Sequence, residues 1–117
     1  MEFWEKTRYS KWYKSHRRFS FTAHFCIEHY EEGKSIPYTI FKPFLKSIAC
    51  HSKSEEKMFQ DIEALLPIFQ EHSGIIPSKV YTNDEMYVFC TSILVHMKEE
   101  EYEVMKFLGK VNPLLPL

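Results

Sequence analysis

His51 is followed four residues later by Glu55 in "HSKSEEKMF", and His96 by Glu100 in "HMKEEEYEV". Residues four apart on a helix stack one above the other. Each pair therefore sets an imidazole beside a carboxylate, a donor set that suits iron, manganese or zinc. Taken alone, such a pair is most often a solvated helix face. It becomes a site only if further ligands converge on it. His16 and His72 are the candidates for that, and Glu101 is a second acid beside Glu100.

Positioning these residues falls to four helical segments. The first is expected from about Tyr9 to Glu32, with Gly33 as the residue just past its end. Its apolar stripe is Trp12, Phe19, Ala23, Cys26 and Tyr30. At about 100° per residue, His16 falls inside that stripe, whereas His24 and His29 fall off it. The second segment begins near Thr39–Phe41, with Pro43 acceptable only in its first turn, and runs to about Leu66. Its core face carries Phe41, Phe44, Leu45, Ile48, Phe59, Ile62 and Leu66. His51 and Glu55 lie within that face and Glu56 points away.

The third segment, "PIFQEHSGII", is short and weak because Gly74 and Pro77 limit it. His72 follows Ile68 by one turn. The fourth is capped by Thr82 or Asn83, with Thr82 and Glu85 at capping-box spacing, and continues to about Leu108. Its stripe is Met86, Cys90, Ile93, Met97, Val104 and Leu108, with His96 at one margin and Glu100 nearer the centre. Glu101 lies on the other side of the stripe. The tail "KVNPLLPL" is expected to pack as an extended strap.

Each segment thus contributes one inward histidine, and two contribute a carboxylate. A buried carboxylate is costly unless paired or metal-bound. Two carboxylates and four imidazoles converging in a bundle solve that problem by holding two cations.

The totals agree. A chain of 117 residues fits one domain, 1–117. Hydrophobic residues make up 44%, aromatics 16%, and there are only three glycines, which favours long helices over many tight turns. The fold expected is all-α: an antiparallel up-down-up-down four-helix bundle with a shortened third helix and an extended C-terminal tail. A net charge of −1 gives no overall field for nucleic acid or an anionic membrane, so the locally basic "KTRYSKWYKSHRR" reads as a solvated helix face. Cys26, Cys50 and Cys90 form no CxxC and sit among apolar neighbours, as buried thiols of a reducing compartment do. No signal-peptide pattern or membrane-length apolar run is present. A cytoplasmic location is expected, with no nucleic-acid or membrane partner.

With these residues in view, the chain resembles the hemerythrin family, including its HHE cation-binding relatives, over nearly its whole length. "HRRF" at His16 resembles the first-helix motif, and "WEKTRYS" the segment before it. "HSKSEEKMF" is the most specific match, to the second-helix HxxxEE. "LPIFQEH" resembles the start of the third helix, and "ILVHMKEEEY" the fourth. The resemblance implies the metal ligands His16, His51, Glu55, His72 and His96, plus one more carboxylate. Oxygen carriers of the family place that acid where Glu101 stands, and related domains where Glu100 stands. The third helix usually carries HxxxH, but here Ile76 occupies the position of the fifth histidine.

The implied cofactor is a pair of non-haem iron ions bridged by carboxylates and an oxo or hydroxo group. The implied function is reversible binding of O2, or of peroxide or NO, for sensing, storage or delivery. Two alternatives stand beside it. One is a di-iron enzyme (a peroxidase, NO reductase or ferroxidase) using the position vacated at Ile76. The other is a helical interaction module without metal.

Overall fold

A computed structural model describes residues 9–59 and 79–111 of the chain; the side chains of Glu56 and of residues 108–111 are not described. Among the described residues all regular structure is helical: α1 spans Ser10–Glu31, α2 spans Tyr38–Met58 and α3 spans Asn83–Val111. The expected third segment, with His72, Gly74, Ile76 and Pro77, lies outside the described residues. So do Ile62, Leu66 and the end of the tail.

α1 ends as its sequence predicts. Gly33 takes φ +77, its N–H bonds to the Tyr30 carbonyl, and the Lys34 N–H reaches back to the His29 carbonyl. This is a Schellman close, in which a left-handed residue lets two terminal carbonyls find donors. α3 opens with the expected capping box. The Glu85 N–H donates to Thr82 Oγ1 at 3.1 Å, and the Thr82 N–H donates to Glu85 Oε1 at 3.0 Å. Asn83, the other candidate cap, instead accepts the Ile36 N–H at 2.7 Å and ties the α1–α2 connection to the start of α3.

Three boundaries differ from expectation. α2 starts at Tyr38, so Pro43 sits in its second turn and not its first. Pro43 is exposed there, on the open side of the helix. α2 also stops at Met58, well before Leu66, because Phe59 leaves the helix to pack against α1. Its ring stacks on Tyr9 at 4.9 Å and meets the Trp12 edge at 5.5 Å, and it is fully buried. α3 continues through Gly109 to Val111, where the expected strap would have begun. A glycine inside a helix costs only about 1 kcal/mol.

Cross-helix contacts define the packing. His16 meets His51, and Phe19 meets Phe44 at 6.0 Å, so α1 and α2 run antiparallel. Tyr30 stacks on Tyr87 at 4.1 Å while His16 reaches Glu101, so α1 and α3 are antiparallel too. Phe41 and Phe44 both contact Phe89. The interior has two halves. One is apolar, built on Phe19, Ala23, Cys26, Phe41, Leu45, Ile48, Cys90, Ile93 and Met97. The other holds buried His16, Glu55, His96 and Glu100, roofed by Tyr9, Trp12 and Phe59. Tyr30 is only partly buried, at the edge of its predicted stripe. No described helix is long and apolar enough to cross a membrane.

This packing sets the cost of two substitutions. Phe41 is fully buried with ring contacts to Tyr81 and Phe89, so Phe41→Ala should lower unfolding free energy by about 3–5 kcal/mol. A Cβ at Gly33 meets nothing within 4 Å; Gly33→Ala should therefore cost only the backbone strain, about 1–2 kcal/mol. Urea unfolding of both variants checks the ranking, and a Gly33→Ala loss as large as that of Phe41→Ala would refute it.

Candidate metal centre

α1 presents Trp12, His16 and Phe19 on one stripe, three and four residues apart, and buries all of them. α2 brings His51 and Glu55 to the same level from the opposite direction, and α3 brings His96, Glu100 and Glu101. His16 Nε2 lies 3.1 Å from His51 Nε2 and 3.4 Å from Glu55 Oε2. His51 Nε2 is 3.2 Å from the same Glu55 oxygen. On the α3 side, Glu100 Oε1 is 3.5 Å from His16 Nε2, and Glu100 Oε2 is 3.3 Å from His96 Nε2.

These separations fit a metal. Ligand bonds of about 2.0–2.2 Å place neighbouring donors about 2.8–3.6 Å apart around a tetrahedral or octahedral ion. The donor atoms of His16, His51 and Glu55 converge within 4.8 Å of one another, a group able to hold one ion. Among the described residues, Glu100 Oε2 is the one fully buried side-chain oxygen with no hydrogen-bond partner. Its contact with His96 is close in distance without hydrogen-bond geometry. An orphaned, buried carboxylate oxygen beside an imidazole nitrogen is a position that a cation would satisfy.

The two acids of α3 have different jobs. Glu100 is buried and faces the cluster. Glu101, with 23% of its side chain exposed, accepts a 2.7 Å hydrogen bond from His16 Nδ1 on the ring's other side. A carboxylate has no proton to give, so Nδ1 carries the hydrogen and Nε2 is turned toward His51 and Glu55. Glu101 thus stands behind His16, as the carboxylates that orient metal-binding histidines do. Trp12 does similar work for Glu55: its Nε1–H donates to Glu55 Oε2 at 2.7 Å. Sequence reasoning placed Trp12 only in an apolar wall. Its spacing, one turn before His16 on the same stripe, was the available signal.

Of the predicted ligands, His16, His51, Glu55, His96 and Glu100 meet in this cluster, and Glu101 joins it through His16. His72 lies outside the described residues. His24 and His29 bond to backbone carbonyls of their own helix, away from the centre.

Without a metal, protons balance the charge. Burial alone would lower the His16 pKa, but hydrogen bonds to Glu101 and Glu55 raise it to about 9. Burial, then the Glu55 charge against it, pushes Glu100 up to about 10. Burial would also raise Glu55, yet hydrogen bonds from His16 and His51 hold it below the usual carboxylate range. In the metal-free cluster His16 is therefore held toward its protonated form, Glu55 toward its ionised form and Glu100 toward its neutral form.

Two openings reach it. A cleft of about 300 Å³ between α1 and α3 leads to His16 and Glu101. A wider groove between α1 and α2 ends at His51. No protein-family model, curated protein or solved structure matches this chain.

The pKa directions predict how metal-free stability varies with pH. His16 contributes fully below its unfolded value of 6.5, and that contribution is lost as pH rises through about 9. Glu100 stays neutral when folded but ionises above 4.5 when unfolded, so it also lowers stability as pH rises, up to about 10. Glu55 acts oppositely, stabilising above 4.5 and losing that contribution on acidification. Melting temperature in chelator should therefore peak near 4.5, where the Glu55 gain and the Glu100 loss balance, and fall from there toward 9, more steeply above 6.5. Glu100→Gln, which mimics the neutral acid, should flatten part of that fall; an unchanged slope would contradict the assignment.

Proposed function

We propose that the chain is a hemerythrin-like four-helix domain holding a carboxylate-bridged pair of non-haem irons, which binds O2, or peroxide or NO, reversibly for sensing, storage or delivery. The observation that carries this reading is the convergence of His16 Nε2, His51 Nε2 and Glu55 Oε2 at 3.1–3.4 Å, with Glu100 completing a second face toward His96. The resemblance of "HRRF", "HSKSEEKMF" and "ILVHMKEEEY" to the family's motifs supports it. In this reading the ligands are His16, His51, Glu55, His96 and Glu100, with His72, which lies outside the described residues, as the further ligand the resemblance implies. Glu101 positions His16 and is not itself a ligand.

When bound, ferrous ions supply the electrons that O2 chemistry requires. The chain's own residues do the rest. Glu55 and Glu100 present negative charge from two helices to the same space, and a metal pair turns their mutual repulsion into shared attraction. Trp12 fixes the Glu55 carboxylate, and Glu101 fixes the His16 ring. Tyr9, Trp12, Phe59 and Phe19 line the surrounding space with buried rings, so the carboxylates face water only through the openings at His51 and at His16 and Glu101. A second reading, turnover of peroxide, NO or Fe(II), is favoured by one feature: openings reach the cluster from two sides.

Metal analysis combined with an absorption spectrum, taken under nitrogen and then in air, tests the proposal. Two irons per chain and a new near-ultraviolet or visible band on air exposure are expected. Glu100→Gln should abolish binding of the second ion, while Glu101→Gln should weaken affinity by about 10–100-fold. A folded chain that retains no iron and shows no spectral change would refute the proposal. Steady turnover above that of free iron would select the enzymatic reading.

A further inference from the structure

The metal reading uses only one end of the α1–α2 groove. That groove has a volume of about 640 Å³ and is lined with no acidic residue. Its apolar side consists of Phe19, Phe44, Pro43 and Ile40, with the two phenyl rings edge to face at 6.0 Å. Because α1 and α2 are antiparallel with His16 against His51, Arg18 belongs to the end of the groove where Cys50 and His51 lie. Ile40 marks the other end, about 16 Å away along α2. The Arg18 guanidinium touches the Ser15 hydroxyl at 3.3 Å and has no carboxylate partner among the described residues. Lys42, Lys46, Lys53 and Lys57 are exposed along α2, within one side of the helix by their spacing, and make no ion pair with a described residue.

The trough therefore has one apolar wall, Phe19, Phe44, Pro43 and Ile40, facing hydroxyl-bearing side chains, with Arg18 toward its His51 end and no acidic lining residue among the described ones. A single guanidinium binds a carboxylate through two parallel hydrogen bonds and balances one charge. An apolar chain fits beside Phe44, Pro43 and Ile40, where its burial removes exposed hydrocarbon from water. The lysine row attracts anions and repels amines.

We infer that the α1–α2 groove binds a monocarboxylate with an apolar chain, its carboxylate on Arg18 beside His51 and its chain running toward Ile40. This site requires no metal ion, but it places the carboxylate end of an organic acid next to the proposed centre. It thereby names a ligand class that the small-molecule reading of the centre does not include.

Cys50 supplies the readout. It lines the groove and is exposed, whereas Cys26 and Cys90 are fully buried. N-ethylmaleimide should therefore label the folded chain at Cys50, which mass spectrometry verifies. With the full-length protein at constant metal content, octanoate should slow this labelling saturably and octylamine should not. Arg18→Ala, at an exposed position, should raise the half-protecting octanoate concentration by about tenfold or more. Ser47→Trp, filling the groove from another exposed position, should remove the octanoate dependence. Labelling unaffected by octanoate, equal protection by octylamine, or protection unchanged in Arg18→Ala would each overturn the inference. Protection in a chain that binds no iron would leave the inference standing and defeat the metal proposal alone.

Discussion

Two carboxylates, Glu55 and Glu100, are buried together where three helices meet, and the rest of the arrangement answers the cost of that burial. Removing an ionised carboxylate from water costs several kcal/mol unless a counter-charge replaces the lost hydration. His16 sits between both acids and is the first such counter-charge. Trp12 supplies a hydrogen-bond donor to Glu55, His51 Nε2 lies 3.2 Å from the same oxygen, and Glu101 holds His16 from behind. Even so, one oxygen of Glu100 has no hydrogen-bond partner among the described residues. A bundle that needed only stability would replace such a set with apolar side chains at little loss. The set is more economically understood as a place for a cation.

The same constraint shapes the fold around it. The roof of Tyr9, Trp12 and Phe59 exists because Phe59 breaks from α2 and turns onto α1. That break ends α2 one turn after Glu55, so the carboxylate projects from the last turn of a helix pinned by aromatic packing. At the opposite end, the capping box at Thr82 and the bond from Ile36 to Asn83 fix where α3 begins. With that start set, helical spacing carries His96 and Glu100 to the level of His16.

Much of this was legible in the sequence, and the parts that were not share a physical cause. Periodicity alone turned His16 inward and His24 outward, because a 3.6-residue repeat decides which face an isolated residue occupies. The HxxxE spacing paired His51 with Glu55 and His96 with Glu100 for the same reason. Local signals also sufficed for Gly33 and for Thr82 with Glu85. What periodicity could not reveal was tertiary. The end of α2 depends on where Phe59 finds an aromatic partner, which is 50 residues away in Tyr9. The choice between Glu100 and Glu101 depends on which side of His16 each acid meets, and both lie close enough to the α3 stripe to turn inward. Trp12 read as apolar because its one polar atom matters only once Glu55 is opposite. α3 ran past Gly109 because a lone glycine is a weak stop.

The central claim is that a metal takes the place of protons in this cluster. Without metal, His16 and Glu100 hold protons at neutral pH, with pKa values raised to about 9 and about 10. Both must give them up for their nitrogen and oxygen to ligate. Anaerobic titration of the chelator-treated chain with Fe(II), in buffers of different ionisation enthalpy, measures that exchange directly by calorimetry. The account predicts saturable binding with release of about two protons per chain near neutral pH, and a smaller release in Glu100→Gln. Binding without proton release, or no saturable heat at all from a folded chain, would contradict it.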